Sequence, residues 1–161
     1  MTDERIGDRL LATIRRLPPG SGIVFRHLAT AKAERIALFR RIRRIAAARR
    51  LTLVSVGALA GSRGHGGRQP FTAPAHDARE AIAMTRRGAR ILFVSPVHAT
   101  RTHPGAIPLG LRRAAAIGRG QGAARIALGG MTERRWRSIR RLGFDGWAAI
   151  DGLADRCDQK A

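Results

Sequence analysis

The chain has 161 residues, 44% of them hydrophobic, enough for one domain with a core of its own. Its formal net charge is +20, and all but two of the 31 lysine and arginine residues are arginine, Lys32 and Lys160 being the exceptions. No apolar run is long enough for a membrane span, and the charged start MTDERIGDRL carries no signal-peptide apolar region, so we expect a cytoplasmic protein without a membrane partner. Clustered cations attract phosphate and raise nucleic acid as a partner. Here the arginines are spread over several predicted helices, and an excess of arginine, alanine and glycine resembles the coding bias of a GC-rich genome. Aromatic content is 4% with no tyrosine, too little for a base-stacking platform. The charge therefore reads as solvated helix faces rather than a nucleic-acid surface. A lone cysteine, Cys157, leaves neither a disulfide nor a cysteine metal site.

Short apolar runs alternate with longer amphipathic ones, the pattern of βα units around a parallel sheet. Asp3 to Leu17 reads as a helix with Ile6, Leu10, Leu11 and Ile14 on one face, ended by Pro18-Pro19-Gly20. Gly22 to His27 reads as a strand. Ala33 to Ala48 reads as a cover helix, with Ile36, Phe39, Ile42 and Ile45 recurring every three residues. Leu51 to Val56 is the next strand. The glycine-rich Ala58 to Gln69 makes a poor helix or strand and reads as a loop or damaged element.

Phe71 to His76 is a short strand weakened by Pro74. Asp77 opens a helix to Arg87, with Glu80 at a capping-box-like spacing and Gly88 closing it. Ile91 to Ser95 has the length and content of a buried strand. It leads into SPVHATRTHPGAIPLG, a stretch from Ser95 to Gly110 with no carboxylate and one arginine. Long loops at the C-terminal ends of parallel strands are where small ligands bind. A helix from Leu109 to about Ile117, a strand from Arg125 to Leu128, a helix capped by Thr132 and ending at Leu142-Gly143, and a strand from Gly146 to Ile150 complete the domain. We take 1–153 as one domain and 154–161 as a polar tail.

Gly129-Gly130-Met131-Thr132 joins a strand to a helix N-terminus through paired glycines, which let backbone N–H groups approach an anion closely. Ile150-Asp151-Gly152 repeats the pattern after the next strand. A glycine pair alone reads first as a tight turn. Its occurrence in successive units shifts the reading towards phosphate, since the loops after the last two strands of a (β/α)8 barrel often hold one together.

Four motifs in order resemble the second half of the thiamine phosphate synthase and thiazole tautomerase family. They are Ala75-His76 with Arg79-Glu80-Ala81; Ser95-Pro96-Val97 with Thr100-Arg101-Thr102-His103 and Pro108-Leu109-Gly110; Leu128-Gly129-Gly130-Met131; and Ile150-Asp151. The likeness covers Gly22 to Leu153, most strongly from Phe71. It implies an α/β fold of the (β/α)8 TIM-barrel type, incomplete here: the first strand is missing or cut short, and the third helix and fourth strand region are eroded. Met1-Thr2-Asp3 is similar to the end of the family's first strand, so we expect the start to be internal, with apolar residues upstream.

The resemblance implies that Gly129, Gly130, Ile150 and Asp151 bind a thiazole phosphate. Thr100 and Thr102 would meet pyrophosphate or thiazole, with Arg26 and His103 in the same substrate half. The partners implied are phosphorylated thiazole and pyrimidine molecules. A synthase would use Mg²⁺ held by aspartates after the third and fourth strands. Ser55-Val56 stands where the family has Asn-Asp, and no carboxylate lies around Gly64-His65-Gly66. The tautomerase branch needs a proton-moving base and no metal, and His76 matches its histidine. His76 is equally read as a strand-end histidine bonded to a backbone carbonyl. His65, His98 and His103 fit no standard metal spacing. Three functions follow: a synthase-like transferase or tautomerase of thiamine biosynthesis, a non-catalytic phosphate-ligand binder, and a basic nucleic-acid-binding protein. The sequence leaves the oligomeric state open.

Overall fold

The computed structural model describes residues 1–57, 59–100, 102 and 105–150. The chain divides into two compact units, one built on Met1–His65 and the other on Gly66–Gly152. No helix among the described residues is long and apolar enough to cross a membrane.

In the first unit a 3₁₀ turn, Glu4–Ile6, and α1, Arg9–Arg15, precede β1, Gly22–Phe25. Helix α2, Lys32–Ala48, then leads to β2, Thr52–Ser55, and the two-residue β3, Arg63–Gly64. The strands pair in parallel in the order β1-β2-β3, with Val24 opposite Val54 and Val54 opposite Arg63. The single helix expected from Asp3 to Leu17 is broken. Gly7, at φ 56°, closes the 3₁₀ turn in a conformation that side-chain-bearing residues avoid, and α1 starts two residues later. Ile6, Leu10 and Ile14 are buried as expected. Phe25 and Ile42 are fully buried, and the Phe25 and Phe39 rings lie 5.5 Å apart. Thr2 lies against β1: its N–H donates to the Val24 carbonyl at 2.8 Å, and its hydroxyl accepts from the Arg26 N–H at 3.0 Å.

The stretch expected to be a loop, Ala58 to Gln69, contains β3 and no helix among its described residues. A fourth strand therefore exists, shortened to one step of ladder by glycines at positive φ on either side, Gly61 and Gly66. His65 follows it. Burial, reinforced by the Arg26 charge, pushes its imidazole down from the usual 6.5 to about 4. The unfolded chain then binds the extra proton as pH falls below 6.5, so this contribution is fully present above that value and is lost on the way down to about 4. Discounted for partial exposure, it amounts to about 1–2 kcal/mol. Chemical denaturation between pH 7 and pH 4 should show stability falling with pH, and His65→Gln should flatten that slope.

The second unit runs through β4, Thr72–Ala75, α3, Ala78–Arg86, β5, Ile91–Val94, and α4, Leu111–Ala116. It continues with β6, Ala124–Ala127, α5, Glu133–Ile139, a 3₁₀ turn, Arg140–Leu142, and β7, Gly146–Trp147. The four strands are parallel and adjacent in chain order, and Ala75, Val94 and Ala127 share one level, so their C-terminal ends are aligned. Pro74 is tolerated in β4 because that strand is an edge of this sheet, where a missing N–H costs no ladder bond. Ala73, Ala75, Leu92, Val94 and Ala127 form the buried sheet face, joined in the core by Ile139 and Phe144.

Arg125 on β6 is an exception to apolar burial. At 7% exposure its guanidinium donates to the carbonyls of Ala115 and Gly143 and lies 5.5 Å from the Phe144 ring centre, while its N–H donates to Asp145. It ties β6 to the end of α4 and to the turn before β7.

The parallel α/β architecture and the chain order of its elements agree with expectation. Closure does not. Strand pairing among the described residues gives an open three-stranded and an open four-stranded sheet, not a closed (β/α)8 ring. Two strands, β3 and β7, have two residues each, too few for an extended ladder.

Candidate functional site

His76 follows the last residue of β4. Asp77 caps α3 by accepting from the Glu80 N–H at 2.8 Å, and the Glu80 carboxylate accepts from the His76 N–H at 2.8 Å. The helix start therefore fixes the His76 backbone, a capping box displaced by one residue. The imidazole Nδ1 lies 2.7 Å from the Ser95 carbonyl oxygen at the end of β5. A carbonyl only accepts, so Nδ1 carries the proton and Nε2 the lone pair. Nε2 has no partner among the described residues, and the side chain is exposed. This is the backbone-carbonyl bond expected of a strand-end histidine, and in the neutral imidazole it selects the tautomer with the lone pair on Nε2.

The segment after β5 turns through a cis Ser95–Pro96 bond and runs against the end of β6. The Val97 N–H donates to the Leu128 carbonyl at 2.9 Å and the His98 N–H to the Gly129 carbonyl at 3.2 Å. This close approach explains the glycine pair. A Cβ on Gly129, at φ 95°, would lie 2.7 Å from the Pro96 Cα, and one on Gly130, at φ 58°, would overlap the Ala99 carbonyl oxygen. Among the described residues the N–H groups of Gly129, Gly130 and Met131 donate to no protein acceptor. Thr132 caps α5, accepting from the Arg135 N–H at 3.2 Å, and the Arg135 guanidinium donates to the Gly130 carbonyl. The buried Nε2 of His98 has no partner among the described residues, and burial, then the Arg135 charge, lowers its pKa.

Of the other expected site residues, Thr100 and Thr102 adjoin each other, the Thr102 N–H donating to the Thr100 hydroxyl at 3.2 Å. Ile150 is half-buried just after β7. His103 and Asp151 lie outside the described residues, as do Cys157 and the polar tail. Arg26 belongs to the first unit, where its guanidinium lies 3.7 Å from the Met1 sulfur. The donor set after β2 and β3 does not suit Mg²⁺. Ser55 directs its hydroxyl to the Ser62 hydroxyl at 2.6 Å and the Gly57 carbonyl at 3.0 Å, and no carboxylate occurs in the chain between Glu34 and Asp77. The sequence reading missed Arg135, counted there among solvated arginines. The signal was available: arginines in the first turn of a helix oppose its dipole, so Arg134-Arg135 after Thr132 calls for another partner.

A family profile described as thiamine monophosphate synthase matches residues 70–153, just over half of the chain and nearly all of the unit that holds this site. The chain belongs to the thiamine monophosphate synthase family. It is 34% identical over 88 residues to a thiamine-phosphate synthase of Chloroflexus aurantiacus, a match spanning 54% of this chain and 41% of that protein. Among solved structures it is similar to the thiamine phosphate pyrophosphorylase of Pyrococcus furiosus, with a TM-score of 0.78 and 18% identity over 93% of this chain and 83% of that one. A thiamine phosphate pyrophosphorylase of Bacteroides thetaiotaomicron matches with a TM-score of 0.62 and 18% identity over 96% and 82% of the two chains. At these identities the two structures speak to the fold alone.

Proposed function

We propose that the second unit binds a phosphorylated thiazole in thiamine biosynthesis, its phosphate on the Gly129–Met131 turn with Ile150 and Asp151, and that His76 moves a proton on the thiazole ring. The observation that carries this is the alignment of four adjacent strand ends. His76 after β4, Ser95 after β5, Gly129 after β6 and Ile150 after β7 all stand on the same edge of one parallel sheet, the edge at which α/β folds bind ligands. Three N–H groups at a glycine turn, unpaired among the described residues, suit an anion, and an imidazole with Nδ1 protonated and Nε2 open suits a base. Thr100 and Thr102 belong to the same substrate loop.

Tautomerisation fits these residues better than coupling to a pyrimidine pyrophosphate. Departure of pyrophosphate calls for a metal, and Ser55 and its surroundings supply no carboxylate for one. In this proposal His103 is part of the same loop as Thr100 and Thr102. Calorimetric titration with thiazole phosphate, with and without magnesium, tests the reading. Saturable binding that is indifferent to magnesium is the expected result, and absence of binding overturns it. Binding that requires magnesium would move the assignment to the synthase, and binding without any turnover to a non-catalytic ligand carrier.

A further inference from the structure

We propose that the solvent face of α2 is a docking surface for the phosphate backbone of duplex nucleic acid. On this 17-residue helix Phe39, Ile42 and Ala46 are buried, while Arg40, Arg41, Arg43 and Arg44 are all exposed. At 3.6 residues per turn, Arg40, Arg41 and Arg44 fall on one side of the helix, opposite that buried stripe. None of the four makes an ion pair or a side-chain hydrogen bond among the described residues. Counter-charge is lacking in the sequence as well. Glu34 is the sole acid of α2, and nine arginines with no carboxylate lie between it and Asp77.

A solvated helix face ordinarily intersperses both signs and gains from pairs three and four residues apart. Here Arg40–Arg44, Arg40–Arg43 and Arg41–Arg44 are like-charge pairs at just those spacings, so the face opposes its own helix unless an anion neutralises it. Helix α5 differs, for its Glu133 pairs with Arg137 one turn on at 2.6 Å. Arg40 and Arg44 stand about 6 Å apart along the helix axis, so both can reach one stretch of backbone. The scarcity of aromatic residues favours backbone contact with a duplex over stacking on single-stranded bases. The apolar side of α2 is committed to the core, so the helix cannot insert it into a bilayer.

The test is fluorescence anisotropy of the full chain with a random-sequence 20-base-pair duplex across a salt series, for the parent and for R40A/R41A/R44A. Arg43 is left in place because its guanidinium lies against Gly61. A control, R86A/R87A/R90A, removes the same charge from exposed positions of the second unit. The expected result is salt-dependent binding by the parent, a slope of log affinity on log salt reduced by about 2–3 in the α2 variant, and by less than about 1 in the control. Alanine suits a helix and relieves repulsion, so the α2 variant should melt at least as high as the parent in low salt. Absence of binding in ~50 mM salt, equal losses in the two variants, or α2-dependent binding to vesicles of anionic lipid but not to the duplex would each overturn the proposal.

Discussion

His76→Ala should, on the proposed tautomerase reading, lower turnover by roughly two to four orders of magnitude, the range expected for removing a general base, while thiazole phosphate affinity changes little. The separation of the two effects follows from the geometry. The phosphate donors proposed are backbone groups of Gly129 to Met131 after β6, whereas the proposed base is an imidazole after β4. The fold should tolerate the change, because the contact that fixes residue 76 to the α3 start is its own backbone N–H on Glu80, which alanine keeps. The lost bond is the imidazole Nδ1–H to the Ser95 carbonyl, and the exposed position lets water replace it. Single-turnover kinetics beside a calorimetric titration of the same variant measure the two quantities independently. Unchanged turnover would remove His76 from the mechanism and leave its bond to Ser95 as a purely structural one.

The parallel α/β order was legible because each element carries a local signal. Asp77 with Glu80, and Thr132 before Glu133, mark helix starts, and both caps form as hydrogen bonds. The run Ile91 to Val94 has the apolar content of a strand buried on both faces. What the sequence concealed depends on tertiary approach. Gly7 breaks a helix whose apolar periodicity runs straight through it. Arg63-Gly64 pairs with β2 although neither residue favours strands, since two residues beside an existing edge need only reach it. Arg125 stood in a predicted strand with nothing to mark it as buried, because the carbonyls that take its guanidinium, Ala115 and Gly143, come from two separate segments. At the site, His76 and the glycine turn stood out by residue type. The Ser95 carbonyl, which sets the imidazole tautomer, is a backbone atom and has no sequence signature.

Gly130→Ala is expected to cost about 3–5 kcal/mol of stability and to weaken thiazole phosphate binding at least about ten-fold. Two terms add. Residue 130 sits at φ 58°, where a side chain brings strain of ~1 kcal/mol. Its Cβ would also overlap the Ala99 carbonyl oxygen, a backbone atom that cannot rotate aside like a flexible side chain. Relief requires the segment from Pro96 to Thr100 to withdraw, and with it the bonds from Val97 to Leu128 and from His98 to Gly129. The same movement separates the turn from the substrate loop, so affinity falls with stability. An aspartate at 130 would meet the same overlap, with charge repulsion of a phosphate added. Gly122→Ala supplies the control, for it has φ 73° with nothing within 4 Å of its Cβ and should lose only the strain term. Denaturant unfolding of the two variants side by side separates the terms. Equal losses at 122 and 130 would mean that the loop does not press on the turn, and the packing account of the glycine pair would be wrong.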